Sequence, residues 1–80
     1  MSGDIDVLID FGNRLKAIRL KKGLSQEKLA LESSLDRTYI SSVERGQRNI
    51  SLLNIYKIAH ALDITAHDLM IDTGGHHEKN

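Results

Sequence analysis

The stretch LDRTYISSVERGQRN, Leu35 to Asn49, decides how this chain is read. On a helical wheel at roughly 100° per residue, Ile40 and Val43 fall together with Tyr39 beside them. Arg37, Thr38, Ser41, Ser42 and Arg45 cover the opposite arc. Asp36 stands where an N-cap belongs, and Gly46 can supply the positive-φ stop. The spacing predicts a short helix of about two and a half turns, held by a thin apolar seam. Its exposed face is made of hydrogen-bond donors on small bodies. On an arbitrary helix such a face would serve solvation, but the residues before it suggest another use.

Upstream, Ser25 is placed to cap a helix over Gln26 to Ser33, with Glu27 in its first turn and Leu29 and Ala30 inward. Three residues, Ser34, Leu35 and Asp36, separate it from the next helix. Two short helices joined by a three-residue turn are what a helix-turn-helix requires. Ala30 is small where the second helix must cross the first. Leu35 is the apolar residue the turn must bury, and Ile40 and Val43 are anchors three residues apart. The motif is therefore assigned to residues 26–45. One position departs from the usual pattern. The first turn residue normally adopts a left-handed conformation and is normally glycine, and here it is Ser34, at a cost of about 1 kcal/mol.

The flanks also read as helices. Ile5, Leu8, Phe11 or Gly12, Leu15 and Ile18 recur at helical spacing, predicting a first helix from about Asp4 to Lys22. Gly12 costs it about 1 kcal/mol relative to alanine. Lys21 and Lys22 suit the helix C-terminus, and Gly23 ends it. Ser51 caps a fourth helix whose apolar face is expected to be Leu52, Ile55, Ile58, Ala59 and Leu62. Thr65 and Asp68 resemble a capping box opening a short fifth helix through Leu69, Met70 and Ile71. Beyond Asp72 the chain ends in GGHHEKN, with nothing to bury. There is no proline, no β-alternation and no internal repeat. The expectation is an all-α fold, one five-helix domain over residues 5–71, followed by a flexible polar tail at 72–80.

Eighty residues sit near the size at which a single core just suffices. The chain has no cysteine, so neither disulfides nor thiolate metal sites assist folding. Apolar residues make up 40% and aromatics only 4%, so the core must be aliphatic. No apolar run approaches a membrane span, and the N-terminus lacks a signal pattern, which points to the cytoplasm. The net charge is zero, but its distribution is uneven. Residues 11–48 carry nine lysines and arginines against four acids, whereas residues 1–10 carry three aspartates and no base. A polyanion within a Debye length responds to the basic middle, not to the total.

With these segments assembled, the sequence resembles the phage-repressor type of helix-turn-helix, the Xre family that includes the lambda repressor and Cro. The resemblance covers about Phe11 to Met70 and is carried by RLKAIRLKKGLSQEKLA, LDRTYISSVERGQRN and SLLNIYKIAHALDI. Within the family, DRTYISSVERGQRNIS is most similar to the small controller proteins of restriction-modification systems. Those are dimeric regulators that time expression of an endonuclease relative to its methyltransferase. The resemblance implies a compact lambda-repressor-like domain that binds double-stranded DNA. It implies base reading by Arg37, Thr38 and Ser42, with Ser41 close by. Gln26 would touch a phosphate and brace the recognition helix, Tyr39 would reach the backbone or a neighbouring base step, and Arg48 and Asn49 would grip phosphates or a groove edge. Arg19 and Glu44 would form a partly buried salt bridge locking helix one to helix three.

The chemistry of the residues agrees with these roles. Arginine donates two parallel hydrogen bonds to the O6 and N7 of guanine, and the Thr38 methyl suits a thymine methyl. Short Ser41 and Ser42 let the helix axis lie deep in a groove. The flanking cations neutralise phosphates and release counterions. The plain alternatives are a solvated Arg37 at a helix start and an Arg45 divided between phosphate contact and solvation. Lys21 and Lys22 read first as helix-terminal solvation. His60 reads as an ordinary helix residue, and the tail residues His76 and His77 have no partner at metal-ligand spacing. Nothing arranges a catalytic triad, and there is no glycine-rich phosphate loop, so neither enzyme activity, cofactor nor small-molecule ligand is expected. Leu69, Met70 and Ile71 cannot all face one core from a short helix, which points to a two-fold interface in a homodimer.

The function expected is a sequence-specific transcription regulator, a homodimer on an inverted-repeat operator controlling a restriction-modification operon. The rival is an antitoxin-type module that binds a partner enzyme and autoregulates its own promoter. Only about eight polar residues follow the fifth helix, too few and too hydrophilic to wrap a toxin. A non-specific architectural binder would want a higher positive charge than the net zero found here.

Overall fold

The computed structural model describes residues 2–71, and the polar tail expected at 72–80 lies outside the described residues. Five helices follow one another: α1 (Ser2–Lys21), α2 (Gln26–Ser33), α3 (Arg37–Glu44), α4 (Leu52–Leu62) and α5 (Ala66–Met70). No strand occurs among the described residues. None of these helices is long and apolar enough to cross a membrane.

The helix boundaries follow from local chemistry. Ser25, Ser51 and Thr65 are extended N-caps whose hydroxyls accept from the backbone N–H three residues on. Thr65 and Asp68 complete a capping box, with the Asp68 carboxylate accepting from the Thr65 backbone N–H. Asp36 departs from expectation. It occupies the N-cap of α3, but its side chain makes no capping hydrogen bond. Ser34 is left-handed, with φ 60° and ψ 37°, as a glycine in that turn would be. Its N–H and that of Leu35 fold back onto α2, Leu35 donating to the Ala30 carbonyl at 2.9 Å. These bonds offset the cost of a Cβ at positive φ.

The core comprises Phe11, Leu15, Leu29, Ala30, Ile40, Val43, Ile55, Ile58, Ala59, Leu62 and Leu69, drawn from all five helices. Leu35, in the turn, packs half-buried against it. Three apolar residues do not take the places their spacing suggested. Ile5 is 59% exposed and Leu52 70% exposed, because periodicity marks a helix face but not how far the neighbouring helices extend along it. On α1 the first buried positions are Phe11 and Gly12, and from Gly3 to Asp10 only Leu8 is half-buried. Leu69 is completely buried in the core of the chain, so its side chain is not free to supply the expected contact between copies. Its neighbours Met70 and Ile71 remain exposed, and α5 stops at Met70 with Ile71 extended.

Gly12 marks the closest approach in the bundle. A Cβ there would lie 2.5 Å from the carbonyl oxygens of both Val43 and Glu44. The absence of a side chain, which weakens α1 locally, is therefore what lets α1 lie against the last turn of α3.

Candidate nucleic-acid interface

The C-terminal end of α3 is tied down by charge as well as by packing. The Glu44 carboxylate accepts from Arg19 Nε at 2.6 Å and from an Arg19 terminal nitrogen at 3.0 Å. It also accepts from the Gln26 amide nitrogen at 2.9 Å. Arg19 additionally donates to the Leu24 carbonyl at 2.8 Å. Both charged residues are about 6% exposed. One carboxylate thus joins α1, the start of α2 and the end of α3, and its oxygens are satisfied by fork-shaped guanidinium donors. Gln26 spends its amide nitrogen on this brace and stays half-buried at the head of α2.

Gly46, at φ 74°, turns the chain immediately afterwards. A Cβ at Gly46 would meet the Ile9 backbone at 2.9 Å, so α1 also closes over the exit from α3.

The opposite arc of α3 is open. Arg37 and Thr38 are exposed at its N-terminal end. Ser41 and Ser42 are half-buried, and both hydroxyls are already engaged. Ser42 donates to the Tyr39 carbonyl at 2.9 Å, and Ser41 accepts from the Arg45 guanidinium. Arg45 is exposed and also donates to the Gln47 side-chain oxygen at 3.2 Å. Tyr39 is half-buried, and Arg48 lies over its ring with the guanidinium carbon 5.0 Å from the centroid. Arg48 and Asn49 are exposed in the segment leading to α4. The side chains assigned to reading and gripping thus fall on α3 and the loop after it. Gln26 joins them through Glu44, while Met70 and Ile71 belong to the separate C-terminal end of α5.

Sequence reasoning missed Asn54, whose amide nitrogen donates to the Tyr39 phenol oxygen at 3.0 Å. A polar residue in the first turn of an amphipathic helix gives no signal of such a contact. A groove lined by Glu32, Ser34, Lys57 and His60 is polar and lacks the apolar enclosure that small ligands use. Among the described residues no group of three or more histidines, aspartates or glutamates is placed to hold a metal.

The arrangement can present donors from a rigid helix to base edges while cations beside it meet phosphates. Known proteins are similar to this chain in sequence and fold. The family model described as helix-turn-helix matches residues 15–69. Control protein C.MunI of Mycoplasma sp is 52% identical over 68 residues, 84% of this chain and 92% of that protein. Control protein C.BamHI of Bacillus amyloliquefaciens is 52% identical over 71 residues, 88% of this chain and 85% of that one. The crystal structure of the restriction-modification controller protein C.AhdI from Aeromonas hydrophila superposes with a TM-score of 0.77 at 60% identity, covering 78% of this chain and 94% of that one. With two short helices about a left-handed turn, a braced third helix and these relatives, the chain belongs to the helix-turn-helix family of DNA-binding transcription regulators, of the restriction-modification controller type, and is not an enzyme.

Proposed function

We propose that the protein works in the cytoplasm as a homodimer on an inverted-repeat operator in double-stranded DNA, regulating restriction-modification genes. The observation that carries this reading is the asymmetry of α3: its C-terminal end is buried in an ionic brace, while Arg37 and Thr38 stand exposed at its N-terminal end. In this motif the N-terminal end of the recognition helix faces base edges. Arg37 and Thr38 are the principal base readers. Ser41, whose O–H is still free to donate, and Ser42, whose oxygen can still accept, read at closer range. Gln26, Tyr39, Arg45, Arg48 and Asn49 hold the backbone.

An eight-residue helix offers few base contacts, and pairing two copies doubles them. Met70, 52% exposed, and Ile71, 45% exposed, supply the apolar surface for that pairing. A two-fold dimer requires an operator with matching symmetry and half-sites about one helical turn apart. Selection from a random duplex pool should therefore return an inverted repeat, and sedimentation at micromolar concentration should show a dimer that Met70→Asp disrupts. A selected site lacking two-fold symmetry, or a protein that stays monomeric both free and on DNA, would refute the reading.

A further inference from the structure

Tyr39 sits where three elements meet. Its own helix carries the reading residues, Arg48 comes from the following loop, and Asn54 comes from α4, outside the helix-turn-helix. Asn54 is held in place from below, since its backbone N–H donates to the Ser51 hydroxyl at 3.2 Å in the α4 cap. Its amide nitrogen donates to the phenol oxygen, so Tyr39 acts as acceptor toward Asn54 and keeps its own O–H for a second partner. Arg48 rests on the aromatic face 5.0 Å from the centroid. Stacking of that kind holds the guanidinium plane while leaving its N–H edge free to donate. One hydroxyl donor and one guanidinium edge, fixed side by side next to an exposed reading face, match the oxygens of a single phosphate.

We propose that Asn54, Tyr39 and Arg48 form one composite phosphate-binding unit. Asn54 is its positioning residue: it aims the Tyr39 hydroxyl at the duplex backbone and steadies the ring on which Arg48 lies. This rests on the DNA-binding reading above and adds α4 to the interface. The unit contacts backbone only, so it strengthens binding to every sequence and carries no base preference.

The test is binding of the full chain to two duplexes of equal length, one carrying the selected operator and one scrambled, over a series of salt concentrations. Asn54→Ala and Tyr39→Phe should each weaken both duplexes by a similar factor, about three- to tenfold. The double substitution should be no weaker than the weaker single one, because each breaks the same link. Arg48→Ala should flatten the salt dependence by about one unit of log–log slope. Asn54→Asp gives the second variant: its carboxylate accepts a hydrogen bond from the phenol O–H, occupying that donor, and sets a negative charge beside the phosphate, so it should weaken binding more than Asn54→Ala. Thermal unfolding recorded alongside should show all variants folded at the binding temperature.

Wild-type binding to both duplexes with no loss in Asn54→Ala overturns the unit and leaves the DNA-binding reading standing. So do losses that multiply in the double variant, or a loss confined to one operator base pair. Failure of the wild type to bind any duplex removes both.

Discussion

The two ends of α3 are built on opposite principles, although the whole helix is only eight residues long. The C-terminal end is crowded: Val43 and Glu44 are buried, Gly12 brings α1 against their carbonyls, and Arg19 and Gln26 converge on one carboxylate. The N-terminal end is bare: Asp36 makes no capping bond, and Arg37 and Thr38 are open to solvent. The helix is thus clamped at one end and open at the other, where the proposed reading puts the base contacts. A recognition element needs both conditions, because base discrimination requires a fixed backbone beneath exposed donors.

Substitutions at the two ends should separate stability from recognition. The largest effect is expected at the clamp. Glu44→Ala leaves the buried Arg19 guanidinium without its carboxylate and should cost about 3–5 kcal/mol in chemical denaturation. An Arg19/Glu44 double-mutant cycle showing no coupling would dissolve the clamp as an energetic unit.

Gly12→Ala should follow closely. Helix propensity alone would make it stabilising by about 1 kcal/mol, yet contacts of 2.5 Å with two backbone oxygens must be relieved by pushing α1 off α3. A net loss of about 2–3 kcal/mol in the same denaturation experiment is the expected outcome. A gain in stability would show that α1 does not press on α3.

At the free end the expectation reverses. Arg37→Ala should leave the unfolding midpoint essentially unchanged while removing about 1–3 kcal/mol of discrimination at one base pair in each half-site. Competition binding against operators varied one base pair at a time would reveal it. An equal loss on every sequence would make Arg37 a phosphate contact and pass the reading to Thr38, Ser41 and Ser42.

The smallest effect belongs to Asp36. With no capping bond to lose, Asp36→Ala should cost only its favourable charge at the helix N-terminus, about 0.5 kcal/mol. Ser25→Ala, which removes a formed cap, should cost about 1 kcal/mol. Equal losses in thermal melts of the two variants would mean that Asp36 caps α3 after all.

Where a feature depends on neighbours in the chain, the sequence was a sufficient guide. The Ser25 and Ser51 caps, the Thr65–Asp68 box, the Gly46 stop and the exact span of α2 all follow from residues within one helical turn of each other. The motif itself was legible because its constraints are local and dense. What escaped was set by distant chain. The burial of Leu69 and the exposure of Leu52 depend on where other helices end. The need for Gly12 arises from carbonyls some thirty positions away. The Asn54–Tyr39 bond crosses 15 residues and two helices, and no periodicity announces it.

Gly12 and the Arg19–Glu44–Gln26 cluster also bear on how such a protein can change over time. In the proposed reading Gln26 both braces α3 and meets DNA, whereas Arg37 and Thr38 take no part in the brace, so alterations at those two positions leave the scaffold untouched. Target preference can therefore drift, or be rewritten deliberately, one exposed position at a time without passing through an unfolded intermediate sequence. The helix behaves as an interchangeable cartridge in a fixed socket, and a library varied only at Arg37, Thr38, Ser41 and Ser42 is the natural starting point for retargeting it.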